Sequence, residues 1–210
     1  MVVDGTTSRA PGTVRTGGRT GKVRAAVFSA TLLELAENGY AALSVERIAE
    51  RASVHKTTVY RRWRTKDALL AVAIAELVED LFPIPSYESI AEDLRSIGRS
   101  LVDLLTSDVP TVRGAVRALF FDAANVAQIA ELKRHLYAQR YQQAESFVSA
   151  AIDRGELPGD TDTRELVGLV MAPIYYRKLV TNEPIDHRVA DRAAATALAA
   201  IRAGACRCNR

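Results

Sequence analysis

The chain has 210 residues, of which 48% are hydrophobic and 25% are charged, a balance typical of an ordinary globular protein. Its longest apolar run, from Ala68 to Ala75, is far shorter than the ~20 residues that span a bilayer, and no apolar stretch of the kind found in a signal peptide opens the chain. These features argue against membrane and secreted classes, so we expect a cytoplasmic protein that makes no contact with a membrane.

The charge is distributed unevenly along the chain. Residues 1–70 contain twelve Lys or Arg and six Asp or Glu, a formal charge of +6, whereas residues 71–210 contain sixteen and nineteen, a charge of −3. A basic segment of this kind is typical of a surface that meets a polyanion, although chance clustering on a solvated face gives the same counts. The N-terminal third is therefore the first candidate for nucleic-acid binding.

The two ends of the chain carry no signal for regular structure. Residues 1–19 lack hydrophobic periodicity and are rich in Gly and Thr, which predicts a disordered basic arm, and we expect a frayed tail over 205–210. Cys206 and Cys208 lie in this tail with a spacing that resembles half of a metal site, but no second pair of ligands is placed to complete it. We predict neither a bound metal nor a cofactor.

The segment after the arm shows helical periodicity that is broken at short intervals. A helix is predicted over 20–38, where Gly39 is a stop signal. Ser44 is a suitable N-cap for a short second helix, a third short helix is predicted over 55–62, and Thr65 is the N-cap of a fourth.

The remainder of the chain is also predicted to be helical, because it shows none of the alternation that marks strands. Pro173 falls inside one of these helices and predicts a kink, since proline removes one backbone hydrogen bond. The sequence therefore predicts an all-α protein of about nine helices. The later helices are predicted over 86–106, 110–125, 127–154, 162–180 and 187–203.

The segment from Ser44 to Trp63 has the layout of a helix-turn-helix, in which one helix braces and the other enters the major groove of DNA. The first helix carries the small apolar pair Ile48 and Ala49, and the second tucks in Val59. Lys and Arg neutralise phosphates and read guanine edges, and hydroxyl groups donate to phosphate oxygens. The residues expected on the exposed side are Lys56, Thr57, Tyr60, Arg61 and Arg62.

This segment resembles the TetR family of bacterial transcriptional regulators. The resemblance covers about residues 20–70 in detail, and the rest of the chain agrees in length and helical class. Two positions differ from the family pattern, since Ser53 stands where a turn glycine is usual and His55 stands where a capping serine is frequent. The matching residues are Gly39, Tyr40, Ile48, Ala49, Ala52, Val54, Thr58, Val59, Tyr60, Arg61, Trp63, Lys66, Asp67 and Leu69.

The resemblance implies roles for individual residues. Lys56, Thr57 and Arg61 are expected at base edges, while Val59, Trp63 and Tyr40 are expected in the core. The arm residues Arg15 and Arg19, together with Lys22, are candidates for an adjacent minor groove. Solvated surface charge remains an alternative role for Arg47, Arg51 and His55. The remaining expected DNA contacts, mostly to phosphate, are Ser44, Arg47, His55, Thr58, Tyr60, Arg62 and Lys66.

The resemblance also implies a DNA-binding domain over 20–70 and a regulatory and dimerisation domain over 71–204. A homodimer is expected through the helices near 162–180 and 187–203, the second of which is rich in alanine, although the same alanines would also suit packing inside one subunit. The middle helices should enclose a pocket for an unidentified small-molecule effector. Candidates for its wall are Phe120, Phe121, Asn125, Gln128, Leu136, Tyr137, Met171, Ile174 and Tyr175.

The sequence thus predicts a sequence-specific regulator, most simply a repressor that binds a palindromic operator as a dimer and is released by a small molecule. One alternative is a DNA-binding regulator without a small-molecule ligand, which is either controlled by a partner protein or is an activator. A collapsed cavity between the middle helices would favour this alternative. The other alternative is a helical enzyme or scaffold whose basic N-terminus binds an acidic partner. A DNA affinity that falls steeply with salt concentration would argue against this alternative. No catalytic motif is recognisable, so we do not expect an enzyme.

Substitutions in the predicted recognition helix should separate readout from anchoring. Tyr60→Phe and Lys66→Ala should weaken binding to all DNA sequences alike, because phosphates are the same everywhere. Lys56→Ala and Arg61→Ala should relax the preference at particular base pairs by about 1–3 kcal/mol each. Gel shifts across a series of operator variants measure both effects, and uniform losses for all four proteins would contradict the assignment of the base-reading residues.

Overall fold

The computed structural model describes residues 19–81 and 89–205, and within these ranges the chain forms helices and no strand. Two π-helical segments extend α-helices, Ala118–Asp122 after α6 and Tyr176–Val180 after α8. The α-helices are α1 Arg19–Ala42, α2 Val45–Arg51, α3 Lys56–Arg62, α4 Lys66–Leu81, α5 Ile90–Thr106, α6 Pro110–Arg117, α7 Ala127–Asp153, α8 Thr163–Tyr175 and α9 His187–Arg202.

The predicted all-α class is confirmed, and each predicted helix has a counterpart within a few residues. Residues 1–18 and 206–210 lie outside the described residues, and so do Arg15 and both cysteines. Arg19, which was expected in the arm, is the first residue of α1. The backbone of Gly39 has φ 73°, so the regular helix does stop there, although a further turn carries α1 to Ala42.

Ser44 and Thr65 cap the N-termini of α2 and α4 by the expected side-chain hydrogen bonds. The Ser44 hydroxyl accepts from the Arg47 amide at 3.3 Å, and the Thr65 hydroxyl accepts from the Ala68 amide at 3.1 Å. These caps satisfy amide groups that have no partner within the helix. They fix where α2 and α4 begin, on either side of the recognition helix.

The turn between α2 and α3 depends on Ser53, whose φ of 53° is in the left-handed region. The Ser53 amide donates to the Glu50 carbonyl at 3.0 Å, and the Val54 amide donates to the Ala49 carbonyl at 2.9 Å. This is a Schellman motif, which usually places glycine at the left-handed position. Ser53 therefore reproduces the turn expected of glycine, at the cost of a strained backbone.

The first hydrophobic core joins α1 to α4 and also includes parts of the later helices. Val27, Ile48, Val59 and Ile74 are fully buried in it. Residues of α6, of the first π-helical segment and of the start of α7 belong to the same core. Helix α1 therefore packs directly onto α6, and its other side shares a core with α2, α3 and α4. The later members are Ala115, Ala118, Leu119, Ala123, Ile129 and Leu132.

The second core lies among α5, α7, α8 and α9. Four alanines of α9 that were considered for the dimer interface are buried inside the subunit instead. The reason is a close approach of α9 to α5, where a Cβ atom on Gly98 would lie only 3.0 Å from the Cβ of Ala190. Ala195 and Ala199 remain exposed. The buried alanines are Ala190, Ala193, Ala194 and Ala197.

Helix α8 changes type close to Pro173, where the sequence predicted a kink. Proline has no amide proton to donate to the Leu169 carbonyl, and α8 passes into the π-helical segment Tyr176–Val180 soon afterwards. The first π-helical segment follows α6 in the same way. Single π-helical turns frequently occur at functional sites.

Replacing Ser53 by glycine should stabilise the protein. Glycine adopts a positive φ without the clash of a Cβ atom, so Ser53→Gly should raise the free energy of unfolding by about 1 kcal/mol. Ser53→Ala retains the Cβ atom and should give no gain. Urea unfolding at fixed protein concentration measures both, and equal stability of the two variants would contradict a strained turn.

The contact between α6 and α1 leaves no room for a side chain at Gly114. A Cβ atom there would lie 3.0 Å from the Cα of Ala36, so Gly114→Ala must push the two helices apart. We expect a loss of about 1–3 kcal/mol in the free energy of unfolding. Gly21→Ala is the matched control, because a Cβ atom at Gly21 meets nothing within 4 Å. A stable Gly114→Ala protein would show that the two helices do not meet this closely.

Candidate nucleic-acid interface

The recognition helix α3 is held by its apolar side. Val59 is completely buried, and the half-buried Trp63 just after the helix packs on Phe28 of α1 with ring centroids 5.4 Å apart. Ile48 and Ala49 of α2 are buried in the same core. Since Val59 and Trp63 occupy one side of α3, the opposite side faces away from the protein.

The exposed side of α3 is basic and carries hydroxyl groups. Lys56 and Arg61 are exposed, and neither has an ion pair with any residue within 19–81 or 89–205. Thr57 and Tyr60 are also exposed, whereas Thr58 is half-buried. A short helix with unneutralised cations on its outer side is the arrangement that major-groove binding requires.

His55 lies at the start of α3 and is exposed. It occupies the N-cap position, but its side chain makes no capping hydrogen bond. The first amide groups of α3 therefore receive no protein side chain from this position, which is the consequence of having His where serine would cap. Helix N-terminal amides of this kind are suitable donors to a phosphate oxygen.

Three further residues that were predicted to contact DNA, Tyr60, Arg62 and Lys66, already have hydrogen-bond partners within the protein. The Tyr60 hydroxyl lies 3.4 Å from a Glu46 carboxylate oxygen, and the Arg62 guanidinium donates to the Thr20 carbonyl at 3.3 Å. Desolvation, together with the nearby Glu46 carboxylate, raises the pKa of Tyr60, so its hydroxyl stays protonated and can donate. Lys66 is half-buried at the start of α4.

Lys66 is positioned by Tyr40. Its ammonium group lies 3.4 Å from the Tyr40 carbonyl oxygen and 4.6 Å from the centre of the Tyr40 ring. The Tyr40 hydroxyl donates to Asp67 at 2.9 Å, and burial together with this carboxylate raises the pKa of Tyr40 to about 12. Tyr40 is thus partly buried, as expected, and it fixes the cation beside α3.

A buried carboxylate that the sequence analysis missed ties α2 to α1. The Glu34 side chain is only 7% exposed and accepts from Arg47 at 3.1 Å, while Arg51 lies 3.4 Å away and also pairs with Glu37. Arg47 and Arg51 are therefore engaged with protein carboxylates. The available signal was the position of Glu34 on the apolar side of α1, between Leu32 and Leu35.

The middle helices enclose an apolar cavity of about 60 Å³. Phe120, Tyr137, Met171 and Tyr175 line it as predicted, together with Leu136. The sequence analysis missed the contributions of α4 and α5, because apolar residues of those helices read as ordinary core positions. The residues that it did not name are Val78, Leu101, Leu104, Leu119, Lys133 and Arg140.

Four other pocket candidates do not line this cavity. Phe121 is 56% exposed, because adjacent helical residues point in different directions and Phe120 takes the inward one. Asn125, in the turn before α7, and Gln128, in the first turn of α7, are both exposed, and neither provides a polar group to the cavity. Ile174 is fully buried in the second core but does not line the cavity.

Among residues 19–81 and 89–205, no cluster of three His, Cys, Asp or Glu side chains is placed to hold a metal ion. None of the helices described there has the length and apolar character needed to cross a membrane.

Comparisons with known proteins agree with this geometry. The family model for bacterial regulatory proteins of the tetR family matches residues 27–73, and the model for a tetracyclin repressor-like C-terminal domain matches residues 84–197. The chain is 32% identical over 162 residues to the uncharacterised HTH-type transcriptional regulator YdeS of Bacillus subtilis, covering 77% of this chain and 80% of that protein.

Two further similarities extend over most of the chain. The DNA-binding transcriptional repressor TetR of Mycobacteroides abscessus is 29% identical over 175 residues, covering 79% of this chain and 87% of that protein. The crystal structure of the TetR family transcription regulator SCO0332 is 30% identical and superposes with a TM-score of 0.68, covering 85% of this chain and 97% of the other. The chain therefore belongs to the TetR family of helix-turn-helix transcriptional regulators, which are DNA-binding repressors.

Proposed function

We propose that this DNA-binding regulator is a homodimeric repressor that reads a two-fold operator through α3 and is released by a small molecule. The observation that carries the proposal is the exposed cationic side of α3, with Lys56 and Arg61 outside any ion pair among the described residues and Val59 buried behind them. Because such a protein acts on chromosomal DNA, the proposal places it in the cytoplasm. The relatives found are regulators and not enzymes.

The proposed DNA contacts are assigned to side chains that are exposed or that can exchange a hydrogen bond within the protein for one to DNA. Lys56, Thr57 and Arg61 are the proposed base contacts, and His55, Thr58, Tyr60, Arg62 and Lys66 are the proposed phosphate contacts. Tyr60 would exchange its long 3.4 Å contact with Glu46 for a hydrogen bond to a phosphate oxygen, to which a neutral hydroxyl can donate. Ser44 and Arg47 contribute less in this proposal, because both are engaged in bonds that hold α2.

The proposed dimer uses the outer side of α8 and α9. Leu169, Tyr176 and Val180 are exposed by 39%, 59% and 70%, and their spacing places them along one side of α8 and its π-helical extension. An apolar stripe of this kind on a monomer is typical of a protein interface. Ala195 and Ala199 are the small residues of α9 that remain exposed for a close helix approach.

The proposed regulatory route runs through α6. This helix packs on α1 at Gly114 and Ala36, and its π-helical continuation supplies Leu119 and Phe120 to the cavity. A ligand that displaces Phe120 would therefore shift α6 against the helix that supports α3. Such a ligand weakens DNA binding only if it prefers the arrangement in which the two recognition helices are wrongly spaced. We accordingly assign 20–70 to DNA binding and 71–204 to regulation and dimerisation.

The size of the cavity favours a second candidate function. About 60 Å³ is far below the ~300–1,000 Å³ of ordinary ligand sites, so effector binding requires the cavity to open. A DNA-binding regulator controlled by a partner protein would need no such opening. Direct measurement of small-molecule binding distinguishes the two.

Selection of bound fragments from random duplex DNA tests the central proposal. The full-length protein should select a palindrome whose half-sites lie ~34–36 Å apart, or a multiple of this distance, and should sediment at twice its chain mass of 22.9 kDa. Leu169→Glu should give a folded monomer that loses the palindrome, whereas Val109→Glu, at a more exposed apolar site just before α6, should stay dimeric. A direct-repeat or non-selective result, or a dimeric Leu169→Glu protein, would contradict this arrangement.

A further inference from the structure

We propose that the cavity between α4, α5, α7 and α8 binds an organic carboxylate, that is, a carboxylate group on a compact apolar body. This inference rests on the proposed release by a small molecule and specifies the chemical class of that molecule. The combination that carries it is an apolar wall whose polar positions are all cations or hydroxyl donors.

The wall of the cavity is mainly hydrocarbon. Leu101 and Leu104 of α5 face Leu136 of α7 and Met171 of α8 across it. Apolar surface of this kind favours an apolar ligand body, because the body leaves water on binding. Leucine and methionine side chains also adapt in shape more readily than a polar wall does.

The two charged residues that line the cavity, together with Tyr137, come from one side of α7. Lys133, Tyr137 and Arg140 are spaced by four and three residues, so they lie along the same side of this helix. No carboxylate is among the described residues that line the cavity. The two cations that line the cavity therefore favour an anion, and the Glu79 carboxylate near Arg140 offsets a part of their charge.

Arg140 is held where a bound anion would meet it. It is half-buried, and its guanidinium donates to the Val78 carbonyl at 3.2 Å. Burial lowers the pKa of this guanidinium, and the nearby Glu79 partly offsets the effect. A partly buried guanidinium contributes more free energy to the binding of a carboxylate than an exposed guanidinium does, because less water has to be removed from it.

A pair of tyrosines supplies hydroxyl donors at the same place. The Tyr137 hydroxyl donates to the Tyr175 hydroxyl at 2.7 Å, and burial raises the pKa of both phenols, so both stay protonated. Two phenols have two protons, and their mutual hydrogen bond uses one. The second proton can be donated to a ligand oxygen, and a carboxylate offers several lone pairs to accept it.

Two aromatic rings that line the cavity lie next to irregular helix segments, where we propose that it opens. Phe120 and Tyr175 pack with ring centroids 5.4 Å apart, and the Lys133 ammonium lies 5.0 Å from the Phe120 ring centre. Phe120 lies within the first π-helical segment, and Tyr175 immediately precedes the second. A ligand that separates these two rings would enlarge the cavity at the point where both helices are already irregular, and would bring its carboxylate close to Lys133.

The test compares carboxylates with uncharged and cationic counterparts of the same shape. Benzoate, 1-naphthoate and octanoate, their primary amides and the corresponding amines are titrated calorimetrically into the full-length protein. Release of the protein from its selected operator is measured in parallel. At least one carboxylate should bind the protein and release it from the operator. The amide of that carboxylate should bind at least about tenfold more weakly, because the amide lacks the negative charge.

Variants identify the groups that recognise the carboxylate. Arg140→Gln and Lys133→Gln should each weaken binding of the carboxylate by about tenfold and leave amide binding unchanged. Tyr137→Phe should weaken it less. Arg134→Gln is the matched control, because Arg134 is an exposed cation of α7 that pairs with Glu131 and does not line this cavity.

Three outcomes would overturn the inference. Equal binding of carboxylates and amides would show that charge is not recognised, and preferential binding of amines would show the opposite charge preference. Binding by none of the probes, with palindromic DNA binding intact, would reject the carboxylate while leaving the DNA-binding function standing. If the protein does not select a palindrome at all, the proposed function fails independently of these titrations.

Discussion

Burial of one side of α3 is the interaction on which the rest of the molecule depends. Val59 and Trp63 anchor this short helix to the core formed by α1, α2 and α4, and a seven-residue helix has too few internal hydrogen bonds to persist alone. Because the apolar side is occupied, the basic side must face outward. Packing, rather than any attraction between charges, therefore places Lys56 and Arg61 on the outer side of the helix.

Helix α1 connects this surface to the rest of the protein. One part of α1 packs on the DNA-binding helices, while Ala36 contacts α6 at Gly114, so closely that no side chain fits between the helices. Closely packed helices of this kind transmit a displacement instead of absorbing it. The cavity, α6, α1 and α3 thus form a continuous series of contacts, and the two π-helical segments lie at the cavity end of it.

Electrostatics and strain refine the interface. Glu34, buried in α1, pairs with two arginines of α2 that remain exposed, so part of their positive charge is neutralised, whereas Lys56 and Arg61 of α3 have no ion pair among the described residues. Ser53 adopts the left-handed backbone conformation that glycine adopts more easily. The turn that sets the angle between α2 and α3 therefore lowers the free energy of unfolding. Both features fix the orientation of the recognition helix before DNA arrives.

The sequence alone determined the helical class, the nearly complete set of helices and the helix-turn-helix, because these depend on local signals such as Ser44, Gly39 and the apolar spacing within each helix. Tertiary structure decided what depends on the partners of a side chain. It placed Phe120 inward and Phe121 outward, buried Ala190 within the subunit, engaged Arg47 with Glu34 and brought Arg140 to the cavity. Periodicity gives the side of a helix that is apolar, but which neighbour covers that side is set only when distant parts of the chain pack together.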